Sequence, residues 1–326
     1  MNKRQLLHSL YATALSLGAA LQAAASQTGT WPERPIRLIV PYPAGGLTDI
    51  VSRVLGEELG KALGTSIVVD NRPGAGGQIG LQGLLQAPKD GYTIALVVPA
   101  TMVTLPLTNP AYKIRPLEQF EPITIAVDTF LTLVVDQKLG IKNLTEFADY
   151  ARKKPSQMNY GIPGTGTSFH FNSVMMMQKL GIQAQYVPYT GEAAILNDIA
   201  GGQLHFALVS NAGKVFIESG QVTALAVTAN QRARSLPSVP TFRELGVDFA
   251  SDGWVGYVAA RGTPLPVLSK LQSAFVKSLN APAVKQRLLD MGYQVVANQP
   301  EQFRKIVQDS RKRYEELLST GSVKLQ

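Results

Sequence analysis

Cysteine is absent from the 326 residues of the chain. Its absence excludes disulfide bonds, thiolate metal sites and a cysteine nucleophile, and it also excludes a lipid attached through an N-terminal cysteine. The chain must therefore hold its fold by burying a core, for which 45% hydrophobic residues are sufficient. At this length two domains are expected rather than one.

Histidine is scarce as well, with His8, His170 and His205 as its three positions. The sequence contains no HExxH motif, no GxSxG elbow and no spacing typical of metal ligands. We therefore expect neither a metal site nor an enzyme, and keep an exported α/β hydrolase as a less favoured alternative. His170 could contact a ligand, cap a helix or pack in the core, whereas His205 alternates with apolar neighbours as at the edge of a sheet.

The net charge is +8, and the basic residues are dispersed along the chain. Two basic clusters, 152–154 and 311–313, fit solvated helix faces, and they lack the interleaved aromatic residues that base stacking needs. We expect no nucleic-acid partner. A mildly positive field instead favours small anions.

The N-terminus has the three parts of a secretory signal peptide. Lys3 and Arg4 precede a mostly apolar run, residues 6–21, and a small-residue segment ends at Ala25. A transmembrane anchor is the weaker alternative, because polar residues interrupt the run and no charged stop follows it. We expect residues 1–25 to be a cleaved signal peptide and the mature protein to reside in the periplasm.

Two blocks of alternating strand and helix patterns follow, and each contains a strand, a glycine-rich loop and a helix. In the first block a strand at 35–42 precedes a helix at 47–63; in the second, a strand at 158–162 precedes a helix at 167–180. This alternation predicts an α/β fold of two similar halves. Each half would offer the N-terminus of a helix at its glycine loop.

The loop of the second block reads GIPGTGTS at 161–168. Gly161, Gly166 and Ser168 fit the spacing of a P-loop, but Thr167 stands where the lysine would be. Without that lysine the loop has no cation for the phosphates of a nucleotide. A carboxylate needs less, because two or three hydrogen bonds of roughly 1.5–3 kcal/mol each suffice for micromolar affinity, about −8 kcal/mol. A helix start without any ligand is the alternative that this motif leaves open.

The loop of the first block reads PYPAGGLTD at 41–49. Gly45 and Gly46 allow a ligand to approach the backbone closely. Asp49 has two interpretations: it caps the following helix, or it accepts a hydrogen bond within the loop and keeps the glycine N–H groups directed at the ligand.

A third glycine-rich segment, GAGGQIG at 74–80, does not predict a dinucleotide site. Ile79 occupies the place of the third glycine, and no acidic residue ends the next strand. We expect no cofactor. The apolar residues 92–107 that follow contain Pro99 and Pro106, which predicts a strand followed by a loop.

Several of these motifs together resemble one known family, the Bug-type receptors, which are the extracytoplasmic solute-binding proteins of tripartite tricarboxylate transporters. The resemblance covers nearly all of the mature chain. It rests on PYPAGGLTD, VVDNRPGAGGQIG (68–80), DGYTIAL (90–96), GIPGTGTSFH (161–170), VPYTGEAAILNDIAGGQ (187–203), LAVTANQRARSLPSVPTFRELG (225–246) and GWVGYVAARGTP (253–264).

The resemblance implies an α/β, two-lobed periplasmic-binding-protein fold of type II, or Venus flytrap, in which each lobe is a sheet flanked by helices. Lobe 1 would comprise 27–130 plus 252–326, and lobe 2 would comprise 131–251. The hinge crossovers would lie near 127–133 and 251–257.

The resemblance also implies which residues bind a carboxylate, through backbone and hydroxyl groups and partly through water. By position these are, in lobe 1, Tyr42, Ala44, Gly45, Gly46, Thr48 and Asp49 with Thr101 opposite, and in lobe 2, Gly164, Thr165, Gly166, Thr167, Ser168, His170, Tyr189 and Thr190.

The sequence departs from the family pattern at three places, one of which is the segment 208–210, which is less acidic than in many members of the family. His205 stands where an aspartate is common, which counts against a ligand amine, and the apolar loop 97–105 favours an aromatic or aliphatic mono- or dicarboxylate. The function implied is a monomeric receptor that captures a small organic carboxylate and delivers it to membrane permease subunits. A sensor that signals to a membrane kinase is the alternative.

Overall fold

The structure is a computed structural model that describes residues 31–154, 157–251, 253–323 and 325. The predicted signal peptide, residues 1–25, lies outside the described residues. The described strands form one six-stranded and one five-stranded sheet. They are β1 (Ile36–Val40), β2 (Ile67–Asn71), β3 (Thr93–Val97), β4 (Phe120–Asp128), β5 (Thr132–Asp136), β6 (Asn159–Ile162), β7 (Gln185–Pro188), β8 (Phe206–Val209), β9 (Val222–Val227), β10 (Trp254–Ala260) and β11 (Gln294–Val295).

Helices cover both sheets. Within the described ranges, no helix is at once long and apolar enough to cross a membrane. The α-helices are α1 (Leu47–Leu63), α2 (Gln78–Gln86), α3 (Leu105–Thr108), α4 (Pro116–Gln119), α5 (Leu144–Lys153), α6 (Ser168–Leu180), α7 (Glu192–Gly201), α8 (Lys214–Glu218), α9 (Leu265–Asn280), α10 (Pro282–Asp290) and α11 (Pro300–Ser319).

The six-stranded sheet has the order β11-β4-β10-β3-β1-β2. β1 pairs in parallel with β2 and β3, whereas β10 runs antiparallel between β3 and β4. Helix α1 buries Val51, Leu55 and Leu59 at helical spacing, and they belong to the same hydrophobic cluster as the sheet residues. Gly64 ends α1 at a φ of 72°, a left-handed conformation that glycine adopts without strain.

The five-stranded sheet has the order β7-β6-β8-β5-β9. β6 pairs in parallel with β7 and β8, and β5 runs antiparallel to β8 and β9. The chain leaves the six-stranded sheet after β4 and enters the second sheet at β5. It returns after β9 and rejoins the first sheet at β10, so the central strand β10 comes late in the chain.

One hydrophobic cluster extends from the first sheet into the second. At its centre Phe171 of α6 stacks on Tyr314 of α11, with ring centroids 4.2 Å apart and ring planes 3° from parallel. Both side chains are fully buried. The C-terminal helix therefore packs directly against the helix that follows the second glycine loop.

The predicted loop at 97–105 is wrong, because the structure is helical there. A π-helical turn spans Ala100–Thr104, and α3 continues it at once. Pro99 precedes the first turn with a φ of −51°, and Pro106 lies in the first turn of α3. Proline is compatible with a helix at position 99, because the first N–H groups have no acceptor within the helix.

Strand β4 was not predicted from the sequence, although it is the longest of the described strands. Pro122 interrupts the apolar pattern of its residues and argues against a central strand. In the structure β11 pairs only with Val127 and Asp128, so the portion of β4 around Pro122 has a partner strand on one side alone. Proline is tolerated at such an edge.

Candidate ligand-binding cleft

A cleft of about 600 Å³ lies between the two sheets. The β4–β5 crossover and the start of β10 contribute to its wall, so both passages of the chain between the sheets border it. It is lined by Tyr42, Leu47, Thr48, Val98, Pro99, Ala100, Thr129, Phe130, Leu131, Ser168, Phe169, Asn172, Glu192, Ser210, Asn211, Ala212, Gly253, Trp254, Val255 and Tyr293.

One wall presents the N-terminus of α1. Gly46 occupies the cap position and has no side chain with which to accept the first N–H groups of the helix. Leu47 and Thr48, the first two residues of α1, line the cleft, and Tyr42 lines it beside them. Because these N–H groups have no acceptor within the helix and carry the positive end of its dipole, this wall is suited to an anion.

The Asp49 side chain is buried next to the loop that precedes α1 and holds this loop by hydrogen bonds. It is only 3% exposed, and its carboxylate accepts hydrogen bonds from the Gly45 N–H at 2.9 Å and from Asn71 Nδ2 at 3.0 Å. Arg53 donates to both carboxylate oxygens, at 3.0 and 2.9 Å. These Arg53 hydrogen bonds are the first cause that holds the pKa of Asp49 below its ordinary value. Of the two interpretations of Asp49, the structure shows the bond within the loop and no side-chain cap.

The opposite wall presents the N-terminus of α6. Thr167 caps this helix: its hydroxyl donates to the Gly164 carbonyl at 2.8 Å and accepts from the His170 N–H at 3.4 Å. Ser168 and Phe169 follow the cap and line the cleft. The second wall therefore also offers helix N–H groups without intrahelical acceptors, together with the Ser168 hydroxyl.

His170 lies beneath this loop. Its side chain is 1% exposed, and its Nδ1 accepts a hydrogen bond from the Gly166 N–H at 3.3 Å. Its ring also contacts the ring of Tyr186, with centroids 4.7 Å apart. Burial lowers the pKa of His170 to about 4, so the neutral imidazole needed to accept this bond is the favoured form at pH 7.

The remaining predicted residues lie around the cleft but do not line it. Thr101 is fully buried and exchanges hydrogen bonds with the backbone of Val98. Tyr189 donates its hydroxyl to Asp198 at 2.6 Å. Five exposed residues complete the set, namely Ala44, Gly45, Gly46, Thr165 and Thr190.

Several lining residues were missed by sequence reasoning, and three of them bury a polar atom without a partner in the described structure. These atoms are Trp254 Nε1, Asn172 Oδ1 and Asn211 Oδ1. The indole offers a donor and the two amides offer acceptors. Phe130 and Trp254 lie where the chain passes between the sheets, and only the fold brings these positions together.

The cleft is lined mostly by apolar residues, with polar groups between them. Among the described residues, no lysine or arginine lines it. The part of the chain that the structure covers also has no group of three or more His, Cys, Asp or Glu residues that could hold a metal ion. An anion would therefore be held by backbone N–H groups, hydroxyls and the Trp254 indole rather than by an ion pair.

Comparison with known proteins identifies the family. The model of the tripartite tricarboxylate transporter family receptor matches residues 51–322. The chain belongs to this family. The resemblance to the Bug-type receptors is thereby confirmed, and the chain is a solute-binding receptor of the periplasmic type.

Two curated relatives align with most of the receptor. The UPF0065 protein in the gbd 5′ region of Cupriavidus necator is 34% identical over 279 residues, which cover 85% of this chain and 84% of that protein. Protein BugT of Bordetella pertussis is 30% identical over 307 residues, 93% of this chain and 94% of BugT.

Solved structures confirm the expected fold. The periplasmic binding protein BugD is 33% identical with a TM-score of 0.70, covering 91% of this chain and 100% of BugD. An R. palustris protein solved with adipate is 28% identical with a TM-score of 0.74, covering 90% and 99%. MatC from Rhodopseudomonas palustris with bound malate is 28% identical with a TM-score of 0.69, covering 88% and 99%. The receptor therefore has the two-lobed type II fold, each lobe being a sheet flanked by helices.

Proposed function

We propose that this receptor binds a small organic carboxylate between its lobes and delivers it to the membrane permease subunits of a tripartite transporter. The observation that carries the proposal is the pair of helix N-termini, of α1 and α6, that border one cleft from opposite sides. The adipate and malate bound to two structural relatives support the same class of ligand.

The donor set suits a carboxylate better than a phosphate. Hydrogen bonds to a charged acceptor supply roughly 1.5–3 kcal/mol each, so three of them near the upper value reach the roughly −8 kcal/mol of micromolar affinity. A phosphate carries up to two charges on a single group and would need a cation beside it, whereas a carboxylate group carries one; no lysine or arginine lines the described cleft. The binding residues proposed are those inferred from the sequence. Thr48 and Ser168 are in direct reach, whereas Asp49 and His170 shape the loops by binding the N–H groups of Gly45 and Gly166.

We also propose the boundaries of the lobes, 27–130 plus 252–326 for lobe 1 and 131–251 for lobe 2, with hinges near 127–133 and 251–257. The change of sheet between β4 and β5, and again between β9 and β10, supports them. A ligand that contacts α1 and α6 together favours the closed arrangement by its differential affinity for that state.

We infer further that the receptor binds its solute without converting it, acts as a monomer and is exported by the signal peptide at 1–25 without lipidation. The two described histidines support binding without conversion. His170 is engaged by the Gly166 N–H, and His205 Nδ1 lies 2.6 Å from Asn159 Oδ1 at the starts of β6 and β8. Neither histidine lines the cleft.

The test is a thermal-shift and calorimetric screen of mono-, di- and tricarboxylates and aromatic acids against protein purified from the periplasmic fraction. A ligand at a hundredfold excess over its Kd stabilises the fold by about 2.7 kcal/mol, which raises Tm by about 5 °C. Recovery of the solute unchanged checks binding without turnover, and mass spectrometry checks cleavage after Ala25. Failure of every carboxylate to bind would refute the proposed function.

A further inference from the structure

One acidic side chain, Glu192, lies in the wall of the cleft without a charged partner. It is the first residue of α7, and its Oε2 accepts a hydrogen bond from the Ser210 N–H at 2.6 Å. Lysine and arginine are absent from the described lining around it. Glu192 is thus the single acidic residue among the described residues that line the cleft.

The groups near Glu192 make this part of the cleft an acceptor region. Asn211, next to Ser210, buries its Oδ1 without a partner among the described residues, while its Nδ2 donates to the Met291 carbonyl at 3.4 Å. Tyr293 of lobe 1 lines the cleft as well, and burial, followed by the negative charge of Glu192, raises the pKa of its hydroxyl. The Glu192 carboxylate and the Asn211 amide oxygen therefore add acceptors to this part of the cleft, whereas the helix N-termini offer donors.

A plain carboxylate does not satisfy both regions. The helix N-termini and the Trp254 indole provide hydrogen-bond donors for its oxygens. In a closed cleft, however, the Asn211 amide oxygen would have no donor, and the Glu192 carboxylate would have only its bonds from Ser210 and no cation. A buried acceptor without a donor is destabilising, and two carboxylates in one cleft repel each other. A hydrogen-bond donor on the ligand removes both penalties.

Resting on the proposed function, we propose that the solute is a carboxylate that also carries a hydrogen-bond donor, an ammonium or hydroxyl group, and that Glu192 selects it. Burial raises the pKa of Glu192, which agrees with a carboxylate that gains from a ligand donor.

The experiment measures affinities by calorimetry for isosteric triples that differ only in one substituent. The triples are succinate, malate and aspartate; glutarate, 2-hydroxyglutarate and glutamate; and butanoate, 4-hydroxybutanoate and 4-aminobutanoate. The proteins compared are the wild type, Glu192→Gln and, as a matched control, Glu57→Gln on the exposed side of α1, outside the cleft. Glutamine still accepts from the Ser210 N–H, so the loop should keep its shape.

In the wild type and in the control, we expect one substituted acid to bind at least tenfold more tightly than its unsubstituted partner. Glu192→Gln should reduce that ratio to about one without weakening the unsubstituted acid. Comparison of the amino and hydroxy members identifies the donor. A crystal structure of the wild-type complex should place that donor about 2.7–3.2 Å from the Glu192 carboxylate, whether or not the variant folds.

A ratio near one in the wild type, or an unchanged ratio in Glu192→Gln, would overturn the role of Glu192 while leaving carboxylate binding intact. A complex with the ligand donor away from Glu192 would do the same. If no acid of any triple or of the wider screen binds the wild type, the proposed function fails and this inference fails with it.

Discussion

Replacement of Asp49 by asparagine tests whether the hydrogen bonds of the Asp49 carboxylate hold the first glycine loop in place. The carboxylate accepts from the Gly45 N–H, from Asn71 and twice from Arg53, all at 2.9–3.0 Å. An asparagine keeps one acceptor oxygen and directs an NH₂ group at one of these donors. The variant should therefore lose at least one bond to Gly45 or Asn71 and both charge-assisted bonds to Arg53.

The expected loss is smaller than the sum of these bonds. Hydrogen bonds to a charged acceptor contribute roughly 1.5–3 kcal/mol each. The Arg53 side chain, however, is 53% exposed, so solvent screens the pair and rehydrates the arginine when the charge is removed. We expect the free energy of unfolding to fall by about 2–3 kcal/mol and Tm by about 3–6 °C.

Urea unfolding and calorimetric titration of one carboxylate measure the two consequences separately. Affinity should fall at least tenfold at a temperature where the variant is fully folded, because Gly45 and the start of α1 lose their support. Glu58→Gln, on the same helix but paired only with the exposed Lys61, is the control and should change stability by less than about 0.5 kcal/mol. Wild-type stability or wild-type affinity in Asp49→Asn would contradict the assigned role.

Three further predictions concern the second loop and the first sheet. The pKa of His170 is lowered from 6.5 to about 4, so its stabilising contribution is complete above about pH 6.5 and is lost as pH falls toward 4. Urea unfolding should show a loss of about 3 kcal/mol over this range, and His170→Gln should remove it. Gly166 has a φ of +71°, and an added Cβ would lie 3.1 Å from Thr108 of α3. Gly166→Ala should keep its circular dichroism spectrum but bind several-fold more weakly, and unchanged affinity would show that this close approach does not matter for binding. A Cβ at Gly256 would lie 2.6 Å from the Phe303 ring. Gly256→Ala should therefore lower the free energy of unfolding by about 1–3 kcal/mol. An unchanged Tm would contradict this and show that the ring moves freely.

Local patterns predicted most of the elements. Helix 47–63 has the predicted bounds because its apolar positions recur at helical spacing and Gly64 ends it. Strand β4 was missed because Pro122 is compatible with a strand only at an edge, and edge positions follow from the topology. The helical turn at 100–104 was missed for a related reason: the effect of Pro99 depends on where the helix begins.

The candidate site was predictable where a motif carries its own geometry. The two glycine loops and the helices that follow them were predicted from short segments, and the structure places the starts of both helices at the cleft. The caps were not predicted: Asp49 does not cap α1, and Thr167 is the cap of α6. Phe130 and Trp254 were not predictable, because they border the cleft only through the two passages between sheets. Glu192 lies within a motif that the sequence analysis recognised. That no lysine or arginine lines the described cleft around it is known only from the structure.

The two glycine loops share a design that their sequences do not reveal. The Gly45 N–H is bound by Asp49, and the Gly166 N–H is bound by His170. Neither glycine therefore has its N–H free for a solute, and the donors left for an anion are those of the helix N-termini. Asp49 and His170 thus differ in chemistry but have the same task, since each fixes the loop that precedes an anion-binding helix end. Their substitution should weaken every carboxylate alike, whereas a change at Glu192 should alter the preference among carboxylates.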